Sequence, residues 1–336
     1  MTNVAPVTPT SPVTSNPQTT VTRGTILIVL ASVCFGTSGP LVKPTMDAGL
    51  SPQQVASFRI CVAAALLLAF VAVRRPALLK VRRQDWRLLV AYGLIGVGGV
   101  QLLYFAAVSR IPIGVAMLLE FTAPILVALW VRFVRKVILP PRMWVGTALA
   151  LLGLAMVAEV WQGLRLDALG LLLGIGAALC AAAYFLIGEH AVGSLEPLGL
   201  VTWGMVVGGV AVAFLAPPWS LPAVHMGADV DFGGLAVPVW VLLLTCAIVS
   251  TAVAYLLSIS SMRYLPSNVL SVIALCEPIV ATSLAWLVLG QALTVLQVLG
   301  AAVLLAGATV VQLASRQGPE NSAEIRPTQD PVHPQG

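Results

Sequence analysis

Charged residues are scarce in this chain. Asp, Glu, Lys and Arg make up 9% of its 336 residues, against 59% hydrophobic, and mean hydropathy is +0.97. Ordinary soluble domains are about a quarter charged. So little polar surface cannot cover a water-soluble particle, and a polytopic membrane protein is implied. Histidine occurs three times, as His190, His225 and His333, with no HExxH and no Cys/His set beside it, so no metal is expected. The five cysteines, Cys34, Cys61, Cys180, Cys246 and Cys276, fall in apolar runs without a CxxC and read as small core residues. No G-x-x-x-x-G-K-S/T is present to cradle nucleotide phosphates, which argues against a primary pump. "GTSGP" at 36–40 is not the G-x-S-x-G elbow of a hydrolase, and "GLIGVGG" at 93–99 lacks the spacing of a dinucleotide site. No enzyme and no cofactor are expected. The net charge of +5 comes from a few short basic segments rather than stripes interleaved with aromatics, so nucleic acid is not an expected partner.

What the chain has instead is apolar length. A helix needs roughly 20 apolar residues to cross a bilayer. Ten segments qualify: 24–43, 53–73, 88–108, 112–134, 142–161, 167–188, 196–216, 238–260, 266–289 and 294–314. Their short connections predict antiparallel neighbours, and the fold class is an all-α polytopic membrane protein. Residues 1–23, rich in Thr, Pro and Ser, and residues 317–336 read as disordered tails. Segment 74–87 carries Arg74, Arg75, Lys80, Arg82, Arg83 and Arg87 against Asp85, and a later junction carries Arg132, Arg135, Lys136 and Arg142. Segment 217–237 holds Asp229 and Asp231 and neither Lys nor Arg. The positive-inside bias then puts the first two in the cytoplasm, the third outside, and both termini inside a plasma (inner) membrane.

The halves repeat. A shift of 154 residues pairs Trp86 with Trp240, Pro112 with Pro266, Pro124 with Pro278, Gly146 with Gly300 and Gly153 with Gly307. Nearer the start the shift is 146, pairing Cys34 with Cys180. Two five-helix units are implied, 24–161 and 166–314. Five is odd, so the second unit enters the membrane inverted relative to the first. Such inverted repeats let a carrier face alternately in and out around a site at the repeat interface.

Three stretches on this duplicated background carry a resemblance: "VASFRI" with Arg59, "YLPSNVLSVIALCEPIVA" with Glu277-Pro278, and "LGQALTVLQVLGAAVLLAGA". The chain resembles the EamA-type members of the drug/metabolite transporter superfamily over about residues 24–314. Where that family usually has an acid, this chain has Gln291. The resemblance implies a ten-helix carrier whose central cavity is lined mainly by the third, fourth, eighth and ninth helices. It also implies small organic substrates, often amino acids or related metabolites, and commonly export.

The candidate site lies at mid-membrane. Glu120 stands eight residues past Pro112, about 12 Å along a helix. Glu277 stands eleven past Pro266, about 16 Å from the opposite surface. Both reach the middle of a core roughly 30 Å thick. Pro124 and Pro278 interrupt these helices and free carbonyls beside the two acids. The repeat counterparts are Ala274 and Ala123, so the site is expected to be symmetric in shape and asymmetric in chemistry. Glu120 reads as a binder of a cationic group or a proton carrier, against an acid held neutral or paired for structure alone. Glu277 has the same two readings, and the resemblance favours a role in holding backbone. Arg59, roughly 12 Å into its helix, binds a substrate carboxylate or balances an acid. Lys43 reads as snorkelling to the outer interface, with a site role as the alternative. Gln101, Tyr104, Tyr255, Ser258, Asn268 and Ser271 complete the polar candidates. Gln101 matches Tyr255 under the 154 shift, and the two serines also suit helix packing.

The sequence therefore reads as a secondary transporter of small, amino-acid-like organic metabolites, exporting by alternating access with a proton as candidate coupling ion. Its partners are a small-molecule substrate and the lipid bilayer; the oligomeric state stays open. One rival is a carrier or flippase for lipid-linked or nucleotide-linked sugars, which needs a wide basic cavity. Another is a membrane sensor without transport, which needs a folded soluble module.

Overall fold

A computed structural model describes residues 17–111, 113–160, 167–290 and 294–316. The expected tails over 1–16 and 317–336, together with Pro112, Trp161 and Gln291, lie outside the described residues. Hydrocarbon offers no partner to a free N–H or C=O, so each apolar run closes its hydrogen bonds internally as a helix. The described residues form ten such helices. They are α1 (Pro17–Gly36, continuing as Ser38–Asp47), α2 (Pro52–Arg74), α3 (Trp86–Val108), α4 (Ile113–Glu120 and Ala123–Phe133) and α5 (Pro141–Val157). The second set is α6 (Ala168–Ala191), α7 (Pro197–Leu215), α8 (Val239–Ser261), α9 (Ser267–Leu289) and α10 (Val295–Arg316). Among the described residues nine are at least 18 residues long; α5, with 17, still suffices to span. The basic junctions cluster at one face of the bundle and Asp229 and Asp231 at the other. These are called the basic and acidic faces below.

Caps fix several ends. Ser51 accepts from the Gln54 amide while Gln54 accepts from Ser51, a capping box in front of Pro52. Asp167 Oδ1 accepts from the Gly170 amide at 2.7 Å to start α6. The first helix departs from expectation, starting at Pro17 inside the segment assigned to a tail. Threonine-rich composition hid it. Thr25 and Ser32 turn their hydroxyls back onto the carbonyls of Val21 (2.9 Å) and Ile28 (3.0 Å), so these polar residues close on the helix rather than compete with it.

The connection 217–237 also differs from a plain loop. Asp229–Phe232 (β1) and Leu235–Pro238 (β2) pair antiparallel, Asp229 opposite Pro238, around Gly233 and Gly234 at φ +66° and +83°. Two adjacent positive-φ residues are what a two-residue hairpin turn demands, and the Gly-Gly pair was the available signal.

Helix irregularities obey the repeat. Backbone bonding loosens to the π form over Tyr92–Gly99 in α3 and over Cys246–Val253 in α8, and both ends of the two segments are 154 apart. The break of α4 at Phe121–Thr122 matches the 3-10 turn Ala274–Cys276 in α9. Lys136, three residues past the end of α4, has φ +57°, and its counterpart Gly290, which caps α9, has φ +65°. Turn chemistry thus duplicates even where residues do not.

The helices pack as the symmetry requires. α2 lies on α7 and α5 on α10, while α1 lies on α8 as α6 lies on α3. Glycines bring α5 and α10 into backbone contact: a Cβ on Gly300 would stand 2.8 Å from the Gly153 carbonyl oxygen, and one on Gly146 2.9 Å from that of Gly307. Gly300→Leu is therefore expected to cost about 1–3 kcal/mol, read as a lower thermal unfolding midpoint in detergent. Leu152→Ala, on the lipid-facing side of α5 at 57% exposure, should leave that midpoint nearly unchanged.

Candidate functional site

The two helix breaks face each other across a central cavity of about 140 Å³. Pro124 follows the break in α4, Pro278 the break in α9, and the irregular backbone lines a cavity instead of lipid, the one place at this depth where it is tolerated. Glu120 and Glu277 both line the cavity, from the end of one half-helix and the start of another. Arg59 enters from α2, Gln101 from α3 directly after the π segment, and Tyr255 from the equivalent place in α8.

Arg59 is held but not neutralised. Its Nη1 donates to Ser38 Oγ at 2.7 Å and its Nη2 to Gln101 Oε1 at 3.0 Å. Its Nε is buried without a partner. Among the described residues no carboxylate comes within ion-pair distance of it. The cavity therefore holds one guanidinium and two carboxyl groups that share a space without closing on each other. With one acid ionised it is neutral; with both ionised it carries a net negative charge that an ammonium group or a proton balances.

Aromatic and hydroxyl groups form the remaining wall. Tyr184 on α6 donates to Ser258 Oγ at 2.9 Å and meets Tyr255 edge-on at 5.6 Å, and Phe35 meets Tyr255 edge-on at 5.1 Å. Of the residues anticipated from sequence, Glu120, Arg59, Glu277, Gln101, Tyr255, Ser258, Ser271 and Pro124 line this cavity. Pro278 is buried next to Glu277. Three candidates lie elsewhere. Tyr104 meets Phe105 edge-on at 5.5 Å and packs against a small apolar cluster. Asn268 turns toward α5, its Nδ2 at 3.5 Å from Met143 Sδ. Lys43 stands 53% exposed at the acidic face, 3.5 Å from Asp47, as its position one turn from a helix end allows.

Sequence reasoning missed Phe35, Ser38 and Tyr184, all cavity-lining. It also took the cavity to be built mainly by α3, α4, α8 and α9, whereas α1, α2 and α6 contribute as well. The repeat itself held the signal. The pairs Phe35/Ala181 and Ser38/Tyr184 are 146 apart, and Gln101/Tyr255, Glu120/Ala274 and Ala123/Glu277 are 154 apart; both members of every pair line the cavity. A position in one half was thus a pointer to its counterpart in the other.

Comparison with known proteins agrees with this architecture. The model of the EamA-like transporter family matches residues 22–158 and again 168–313. Threonine/homoserine exporter RhtA of Escherichia coli strain K12 is 28% identical over 87% of this chain and 91% of its own length. Its namesake in Salmonella typhimurium strain LT2 is 27% identical over 88% and 93%. The uncharacterized transporter YwfM of Bacillus subtilis strain 168 is 25% identical over 87% and 94%. A solved crystal structure superposes with a TM-score of 0.72 at 18% identity, covering 88% of this chain and 98% of the other, which establishes the shared fold.

Tyr184→Phe leaves the buried Ser258 hydroxyl without its donor. It should lower stability by about 1 kcal/mol in thermal unfolding, the usual scale for one such bond, with helical content unchanged in circular dichroism.

Proposed function

The chain belongs to the EamA-like transporter family, and on that premise we propose that it exports a small amino-acid-like metabolite by alternating access around the central cavity. The observation that carries this reading is the buried guanidinium with a free Nε–H, facing two carboxyl groups that it does not pair with. A zwitterion supplies both missing partners: its carboxylate accepts from Arg59, and its ammonium group lies between Glu120 and Glu277. Buried donors left unpaired are costly, so a ligand completing this set is favoured over one that lacks either charge.

Size supports the same class. Drug-sized ligands occupy roughly 300–1,000 Å³, whereas this cavity measures about 140 Å³. A space of this size favours a small metabolite over lipid-linked or nucleotide-linked sugars. The names of the Escherichia coli and Salmonella relatives make threonine and homoserine the first compounds to test. The basic junctions support placing that face, and both termini, in the cytoplasm of a plasma (inner) membrane. Export then runs from the basic to the acidic face. Without a nucleotide site the driving gradient is of solute or protons, and we assign the proton to Glu120, whose half-helix ends at the break. The units 22–158 and 168–313 are the two bodies that move against each other in this reading.

Homoserine or threonine at about a hundred times its dissociation constant should add roughly 2.7 kcal/mol to the stability of the detergent-purified chain. Arg59→Gln and Glu120→Gln should each abolish that gain while unfolding cooperatively on their own. Stabilisation that survives both substitutions would move the ligand out of this cavity. In proteoliposomes an imposed pH gradient should accelerate homoserine flux through the unaltered chain and not through Glu120→Gln. Equal gradient sensitivity in the two would remove Glu120 from the coupling role.

A further inference from the structure

The two mouths of an inverted repeat occupy equivalent positions, so comparing them reveals which is shut. At the basic face, Arg135 Nη1 meets Glu189 Oε2 at 2.7 Å, and Ser267 Oγ donates to the same oxygen at 2.8 Å. These residues come from the ends of α4 and α6 and the first turn of α9, so a single carboxylate ties together both halves of the chain. Its side chain is 20% exposed and that of Arg135 36%, so the contact sits at the rim with the carboxylate the more sheltered partner.

At the acidic face the equivalent positions carry no such bridge among the described residues. The counterpart of Glu189 under the 146 shift is Lys43, and that of Arg135 under the 154 shift is Leu289. Both line one open cavity of about 840 Å³, together with Asp47, Asp229, Asp231 and the Gly290 turn. Lys136 and Gly290 both take a left-handed backbone in the turns that follow these helices. One pair of equivalent positions is bridged and the other lines an open vestibule.

We infer that Arg135, Glu189 and Ser267 form the latch that holds the basic face closed while the acidic face is open, and that releasing it exchanges the two states. The latch rests on the alternating-access reading above but not on the identity of the substrate. Lys43 holds the corresponding position at the other mouth. There its ammonium group approaches the carbonyl end of α9 when that mouth closes, a favourable place for a cation.

The test is amide hydrogen exchange on the full-length chain in lipid nanodiscs, with no ligand added. Glu189→Gln and Arg135→Gln should each raise exchange over residues 267–276 and lower it over 40–47 and 285–290. The expected size is about tenfold at each mouth, the scale of losing one charged hydrogen bond. Ser267→Ala should shift both mouths the same way by less. The reversed pair Glu189→Arg with Arg135→Glu should restore the parent pattern. Unchanged exchange in every variant would overturn the latch. So would a rise at the basic face without the fall at the acidic face, since a merely structural contact loosens one end alone. Homoserine flux measured on the same preparations separates the two readings. Flux without the reciprocal shift removes the latch and leaves the exporter, whereas the shift without flux leaves the latch and removes the substrate.

Discussion

Backbone hydrogen bonding in a medium without water governs this molecule. Every N–H and C=O at membrane depth must be satisfied within the protein, and continuous helices do this by default. Where α4 and α9 break and α3 and α8 loosen, the freed groups have to face something polar or enclosed. The chain meets that demand by bringing its irregular segments toward one central space. The cavity follows from the breaks, and the charges then occupy the one region of the interior where they can be held.

Duplication explains why the breaks meet. Two five-helix units of opposite orientation carry their irregularities to the same depth from opposite surfaces, so the π segments, the proline-bearing breaks and the left-handed helix ends all recur at a fixed spacing. Shape is copied while chemistry is not. Glu120 is matched by Ala274, Glu277 by Ala123, and Ser38 by Tyr184. A symmetric frame permits two equivalent conformations, and asymmetric side chains decide which one is preferred. The bridged basic mouth and open acidic mouth are a direct expression of that difference.

Packing between the units divides into fixed and movable parts. α5 and α10 touch backbone to backbone at four glycines, with side chains such as Val311 and Met156 packed closely beside them. The contacts around Glu189 and Ser267 are few, polar and at the rim, where exchanging partners with water is cheap. A rigid seam on one side and a polar clasp on another suit a body that rocks instead of unfolding.

The order of ten helices and their inversion were legible in the sequence, and so was the candidacy of Glu120, Glu277 and Arg59, which line one central cavity. Hydropathy counts length and the repeat counts parity, and both are one-dimensional properties. Lys43, Tyr104 and Asn268 were equally polar in sequence, yet they point to the acidic mouth, an apolar cluster and Met143. Which face of a helix a residue occupies depends on the rotation fixed by packing against neighbours, and Phe35, Ser38 and Tyr184 of α1 and α6 joined the cavity through that rotation. The separation of Arg59 from both acids and the bridge from Arg135 to Glu189 join residues far apart in the chain. Only the tertiary arrangement sets such distances, because it alone decides which helix ends meet in three dimensions.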